Sequence, residues 1–393
     1  MKPILLADDT ISQQELESTA KWMLEGNRLT KSKLTTKFEN EFADWIGSKH
    51  AVFVNSGSSA NLLMIASAMH SGRLRNKVAI APAVSWVTTV SPLLQLGFDV
   101  RLCDCDPSDL GIDPEHLEEL CKENPPSLLI LVHVLGHVNK MKEIVRICQK
   151  YDIILIEDSC EALGSEYLSR KLGTLSTASS FSFYYGHHIS TIEGGMVVTD
   201  DSELHQIMLS LRSHGWSRDL SSSKRDLLQK KFEIDDFTNL YTFYYPGFNL
   251  RSTDLQAHLG IQQLSKIDAV AKTRSINFQR YKKNLHRYFC QQSDTDFLSS
   301  FAYGTLVKNR NEVYLSLKKN QIECRPLICG NIARHPFWEN TKGVENLTNA
   351  NKIHDFGIYL PNHHNLTRTD VDRVCEVFSQ SAIPVSFSSL DIS

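Results

Sequence analysis

The chain has 393 residues, 41% of them hydrophobic and 22% charged, with a net charge of −3. That is an ordinary globular composition, long enough for more than one lobe. It excludes the basic stripe of a nucleic-acid binder, and pairs such as Lys230–Lys231 and Lys318–Lys319 read as solvated helix faces.

The first apolar run stops at Asp8 and Asp9, short of an export signal. No stretch approaches the ~18 apolar residues of a membrane span. Nine cysteines lie scattered without even spacing, which reads as reduced thiols in a cytoplasmic protein. Short β-rich runs are predicted at 50–55, 78–82, 100–105, 128–134, 153–157, 180–184 and 196–199. Amphipathic helical stretches at 60–69, 114–122 and 141–151 fall between them. This alternation predicts an α/β fold with a mostly parallel central sheet and ligands beyond the carboxyl ends of its strands. A long helix is expected over 251–284. The chain then divides into a large domain, 1–250, and a smaller C-terminal α+β domain, 251–393.

The residues that follow the predicted strands carry polar chemistry. After the first come Asn55-Ser56-Gly57-Ser58-Ser59-Ala60-Asn61, small residues opening a helix. Such a turn exposes N–H groups and hydroxyls to an anion, or simply caps the helix with serine. Trp86 follows the second strand and suits either a stacking face or the core. Asp158 follows an apolar strand, where a carboxylate is costly without a partner; a protonated ring nitrogen would supply one, and so would a helix cap. Glu161 stands three residues on. The last segment is Phe181-Ser182-Phe183-Tyr184-Tyr185-Gly186-His187-His188-Ile189-Ser190-Thr191-Ile192-Glu193-Gly194-Gly195.

Taken in this order, these segments resemble the DegT/DnrJ/EryC1/StrS family of pyridoxal-phosphate-dependent sugar-modifying enzymes. The likeness continues through 135–142, Gly247-Phe248-Asn249-Leu250-Arg251 and Tyr359-Leu360-Pro361. It implies the aspartate-aminotransferase fold and a homodimer with shared active sites. It also implies that Gly57, Ser58 and Ser182 hold the cofactor phosphate, that Trp86 stacks on the pyridine ring, that Asp158 pairs with the ring nitrogen, and that Glu161 meets the other ring substituents. Asn249 would reach the neighbouring subunit's phosphate, and Arg251 would be structural.

The sequence departs from the family's transaminases at one position. The lysine expected five residues after Ser182 is His187, and no lysine occurs from 172 to 223. A lysine amine can link covalently to the cofactor, whereas an imidazole can only shuttle protons. This replacement resembles the family's 3-dehydratases of nucleotide-linked 4-keto-6-deoxyhexoses, which use L-glutamate to convert pyridoxal phosphate to pyridoxamine phosphate. Glu323-Cys324-Arg325 and Gly330-Asn331-Ile332-Ala333-Arg334 look like their sugar-nucleotide segment, which implies substrate contacts at Arg325, Asn331 and Arg334. His214 is a further candidate for substrate or the leaving hydroxyl, or else a structural loop histidine. No cysteine lies between Cys160 and Cys290, so the resemblance is to the type without an iron–sulfur cluster, which acts on a GDP-linked sugar. The competing readings are a nucleotide-sugar aminotransferase and an inert cofactor- or sugar-nucleotide-binding regulator. Cys103/Cys105 and His133/His137 have the spacing of metal pairs but read as strand cysteines and structural histidines, and no metal is expected.

Overall fold

The computed structural model describes residues 2–343 and 345–390. Seven strands form the central sheet: β1 (His50–Val54), β2 (Val78–Pro82), β3 (Asp99–Cys103), β4 (Leu128–Val132), β5 (Ile154–Asp158), β8 (Ala178–Ser182) and β9 (Gly195–Thr199). A small hairpin, β6 (Glu166–Tyr167) and β7 (Arg170–Lys171), lies between β5 and β8 in the chain. The sheet order is β1-β9-β8-β5-β4-β2-β3. Only β9 runs against the others, pairing antiparallel with β1 and β8. The expected mostly parallel sheet is therefore present.

Strand β4, Leu-Leu-Ile-Leu-Val, is apolar throughout because both faces of the sheet are covered. Leu128, Ile130 and Val132 join one core; Leu129 and Leu131 join the other. The first core is filled by helix Gly57–His70, and the second by helices Pro114–Glu123 and Met141–Tyr151. The same alternation in β5 places Asp158 on the face of Ile156, toward helix Gly57–His70, and sends Glu157 to the opposite face.

A second, three-stranded antiparallel sheet runs β10 (Tyr303–Leu306), β12 (Gly357–Leu360), β11 (Arg325–Pro326). Helices Ile267–Asn284, Arg310–Lys319 and Arg368–Ser381 cover it around Tyr281, Leu317, Val374 and Phe378. Ile4 bridges to Ile322 and draws the N-terminal strap onto this sheet.

The single helix expected over 251–284 is two helices. Arg251 and Thr253 are held extended by bridges to Val54 and Thr30, so the first helix starts at Asp254 behind a capping box of Thr253 and Gln256. It ends at Leu264, and the chain resumes as Ile267–Asn284. At the break, Lys266 pairs with Glu15 at 2.7 Å.

Candidate active site

A cavity of about 600 Å³ opens at the carboxyl ends of β1, β4, β5 and β8, beneath Arg325 of β11 and Tyr359 of β12. Gly57, Ser58, Trp86, Asp158, Glu161, Ser182, His187 and Arg325 all line it. Eight expected site residues, scattered over 57–325 in the sequence, thus share one chamber. No lysine is among the described residues lining it.

Asp158 forms part of the cavity wall and is 4% exposed. Its Oδ2 accepts hydrogen bonds from Asn61 Nδ2 (2.8 Å) and Thr89 Oγ1 (2.7 Å), and its Oδ1 from the Cys160 N–H (3.1 Å). Asn61 is itself oriented by the Ser180 hydroxyl at 2.6 Å. These donors are neutral. They hold the carboxylate in place without neutralising its charge.

At the first turn of helix Gly57–His70 the cap is Ser56, whose Oγ accepts from Ser59 N–H at 3.0 Å. The N–H groups of Gly57 and Ser58 precede any intrahelical acceptor and carry the positive end of the helix dipole. A Cβ on Gly57 would lie 2.5 Å from Ser182 Cβ, so glycine lets the Ser182 hydroxyl stand beside this turn. Gly195 serves the same packing from below: a Cβ there would sit 2.2 Å from the Ser56 carbonyl oxygen.

His187 sits on the tight loop between β8 and β9, closed by Phe183 N–H to Gly194 O and Thr191 N–H to Phe183 O, both 2.9 Å. Its Nδ1 lies 2.8 Å from the Cys160 carbonyl oxygen. A carbonyl can only accept, so Nδ1 carries the proton and Nε2 keeps its lone pair. Burial holds the imidazole down at about 4; the Arg274 charge adds to this, while the Cys160 carbonyl and Asp158 oppose it. His188 turns the other way, into the interior, with Nε2 at 3.0 Å from Ser299 O.

Glu161 accepts the Leu135 N–H at 2.8 Å. Leu135 is held at φ 53, which aims that N–H. Burial, with Asp158 nearby, pushes Glu161 up to about 8 against the pull of that hydrogen bond. The cavity therefore contains a carboxylic acid that is neutral at pH 7 and can donate as well as accept.

Four expected residues lie outside the cavity lining. His214 and Asn249 are exposed; Ser213, next to His214, bridges to Asn249, and Arg251 Nη2 reaches His214 Nε2 at 3.4 Å. Asn331 is fully buried, bonded to Ala333 N–H and Asn351. Arg334 pairs with Asp355 at 2.6 Å. Residues not singled out from sequence also line the chamber: Asn61, Thr89, Tyr184, Tyr185, Phe301, Glu323, Tyr359 and the strap Leu5–Ala7. Asn61 had a usable signal, since it falls one helical turn after Gly57 on the same face. The strap had none.

His133 meets Glu157 at 2.8 Å, and its Nδ1 faces Asn139 Nδ2 at 3.1 Å, so its ring is engaged in the structural network under the sheet. Among the described residues no group of three or more His, Cys, Asp or Glu side chains is placed to hold a metal.

These residues fit a phosphorylated pyridine. A buried anion without a cationic partner matches a protonated ring nitrogen. The glycine-dependent helix start beside Ser182 matches a phosphate. Trp86, 57% exposed, lines the same cavity with an aromatic side chain able to stack on the ring.

Residues 10–379 match the DegT/DnrJ/EryC1/StrS aminotransferase family. The chain is 35% identical to the GDP-4-keto-6-deoxy-D-mannose 3-dehydratase of Yersinia pseudotuberculosis, covering 91% of this chain and 93% of that one. A crystal structure of GDP-4-keto-6-deoxymannose-3-dehydratase (ColD), a histidine-to-asparagine mutant with bound GDP-perosamine, superposes with a TM-score of 0.86 at 32% identity over 96% of this chain and all of that one. A structure of the 3-dehydratase with a trapped adduct of pyridoxal phosphate and glutamate gives 0.84 at 31% identity over 95% and 99%. The fold is that of the pyridoxal-phosphate-dependent aminotransferases, and the chain belongs to the DegT/DnrJ/EryC1/StrS aminotransferase family.

Proposed function

We propose that the protein is a pyridoxal-phosphate-dependent 3-dehydratase that removes the C3 hydroxyl of a nucleotide-linked 4-keto-6-deoxyhexose. GDP-4-keto-6-deoxymannose is the first candidate, and L-glutamate is the amine donor that converts the cofactor to pyridoxamine phosphate. The observation that carries this reading is the His187 imidazole, with Nε2 free, in a cavity whose described lining contains no lysine. An aminotransferase reading needs a lysine amine there. An inert binder would have no use for a base fixed in one tautomer beside a buried carboxylate.

Gly57, Ser58 and Ser182 would hold the cofactor phosphate, Trp86 the ring face, Asp158 the ring nitrogen and Glu161 a ring substituent. Bound there, the cofactor supplies an amino group for the sugar's C4 carbonyl and an electron-withdrawing ring that lets the C3 hydroxyl leave. Asp158 keeps the ring nitrogen protonated. His187 Nε2 takes up the proton whose loss starts the elimination, while Nδ1 stays tied to Cys160. Tyr184 and Tyr185 wall the cavity beside it, and Arg325 offers a cation for a phosphate or hydroxyl of the substrate.

The homodimer and the cytoplasmic location belong to the same proposal. Asn249 lies on a surface continued by exposed Tyr241 and Phe243, which suits burial against a second copy. Among the described residues no helix is long and apolar enough to cross a membrane. The test is incubation with glutamate, cofactor and GDP-4-keto-6-deoxymannose, followed by mass spectrometry. Loss of water with release of 2-oxoglutarate and ammonia is expected. A stable 4-amino sugar would overturn the dehydratase reading, and no turnover of any 4-keto-6-deoxy sugar nucleotide would leave only binding.

A further inference from the structure

Arg274 of helix Ile267–Asn284 bonds the His187 backbone and lies outside the cavity lining. Its side chain is 2% exposed. Its Nη1 donates to the carbonyls of Phe301 and Asn362, both at 2.8 Å, and its Nη2 to the carbonyl of His187 at 3.2 Å. The guanidinium also stands 5.7 Å from the centre of the Phe301 ring, which in turn faces the His187 ring at 5.2 Å. None of the three hydrogen-bond partners is a carboxylate. Burying a cation against carbonyls alone is costly, and here the cost falls directly beside the candidate base.

Around Arg274 stand His187, His188, His363 and His364, and its charge disfavours protonation of each. Asp158 from β5 is the anion facing His187, Asp8 faces His363 and His364, Asp9 faces His364, and Asp370 faces His363, while Lys266 is a second cation near His364. Cys160, Glu161, Glu193, Glu323, Arg325, Tyr184, Tyr185 and Tyr359 complete the titratable and charged groups of the cavity wall among the described residues.

We infer that Arg274 is a positioning residue: its fork fixes the His187 backbone and the Phe301 ring, and it places a buried cation beside the imidazole. The inference rests on His187 being the base.

Two variants separate the fork from the charge. Arg274→Met removes both, and Arg274→Lys keeps only the charge. The readouts are the His187 titration midpoint, by ¹⁵N-histidine NMR of the full chain with and without cofactor, and the pH profile of kcat. The His187 signal is assigned by its loss in His187→Asn. Arg274→Met is expected to raise the midpoint by roughly one pH unit, with the acid limb of kcat moving the same way. Arg274→Lys should leave the midpoint in place but lower kcat at least ~10-fold through misplacement of the ring. An unmoved midpoint in a folded Arg274→Met protein, or wild-type kcat in Arg274→Lys, would overturn the inference. If Arg274→Met does not fold, Arg274→Lys decides: an unchanged midpoint with reduced kcat supports the role, and a raised midpoint refutes it. Undiminished turnover by His187→Asn would instead sink the base assignment, whatever Arg274 does to the midpoint.

Discussion

The Nδ1 atom of His187 is anchored 2.8 Å from the carbonyl oxygen of Cys160, two residues beyond Asp158. The end of β5 and the two residues after it therefore position both the carboxylate proposed for the ring nitrogen and the tautomer of the proposed base. A shift of this segment would move both groups together.

Replacing the base tests the first consequence. His187→Asn keeps a polar side chain of similar length but cannot take up a proton at neutral pH. Turnover should fall ~10²–10⁴-fold with an unchanged thermal melt. His187→Lys should abolish most dehydration and yield a cofactor–lysine link that borohydride traps and mass spectrometry locates at residue 187. A His187→Asn protein that dehydrates at the original rate would remove the histidine from the mechanism.

Asp158 has three neutral donors and an unneutralised charge, so Asp158→Asn should leave the fold largely intact while disturbing Asn61 and Thr89. Cofactor affinity is expected to weaken by about 2–5 kcal/mol, the range for breaking a buried charge pair. Fluorescence titration of the purified protein with pyridoxal phosphate measures it. Wild-type affinity would show that Asp158 does not meet a cationic ring.

Much of this arrangement was legible from sequence because it follows strand parity and loop chemistry. The apolar run before Asp158 fixes β5, and alternation turns Asp158 toward helix Gly57–His70. The glycines and serines at 56–58 and 194–195 announce close backbone approaches. The rest depends on contacts that no local pattern records. The Leu6 N–H reaches Glu323 at 2.9 Å across 317 residues. Arg274 is indistinguishable in sequence from Lys272 and Arg280 on the same helix; only the packed fold shows it buried. The break before Ile267 leaves no local signal because Ser265 and Lys266 are both tolerated inside helices.

Glu161 separates two protonation states by substitution. A carboxyl held up at about 8 is a neutral donor at pH 7, so Glu161→Gln should retain most activity, whereas Glu161→Ala should lose roughly 10-fold or more. In the cofactor-free protein, wild-type Glu161 should release its proton as pH rises through about 8. Any alkaline limb in the wild-type activity profile that arises from this group should vanish in Glu161→Gln. Equal loss in both variants would indicate a carboxylate instead.

The proposed phosphate turn has a steric test. Gly57→Ala places a methyl 2.5 Å from Ser182 Cβ and 2.8 Å from its Oγ. Relief requires moving β8 or the helix start, a cost of about 1–3 kcal/mol. Inorganic phosphate protects the wild-type protein in a thermal shift assay if the turn is an anion site; Gly57→Ala should melt lower and lose that protection. Full protection in the variant would place the anion elsewhere.

Acid stability follows from the buried imidazoles. Burial pushes His137 to about 3, His187, His205 and His363 to about 4, and His188 well below the free value. Unfolded, each titrates near ~6.5. As pH falls below that value the unfolded chain takes up protons that the folded chain refuses, so stability present above ~6.5 is lost on the way to about pH 4. Glu161 and Asp109 act in the opposite sense: raised to about 8 and about 7, they hold protons in the folded state that the unfolded state releases above ~4.5. Five histidines outweigh two carboxyls, and the net uptake on unfolding near pH 5.5 is on the order of three protons. Urea midpoints measured at about pH 7 and about pH 5.5 should therefore fall steeply, and His137→Gln should flatten the slope by about one proton. A urea midpoint that stays level across this interval would mean that these histidines are already charged in the folded protein.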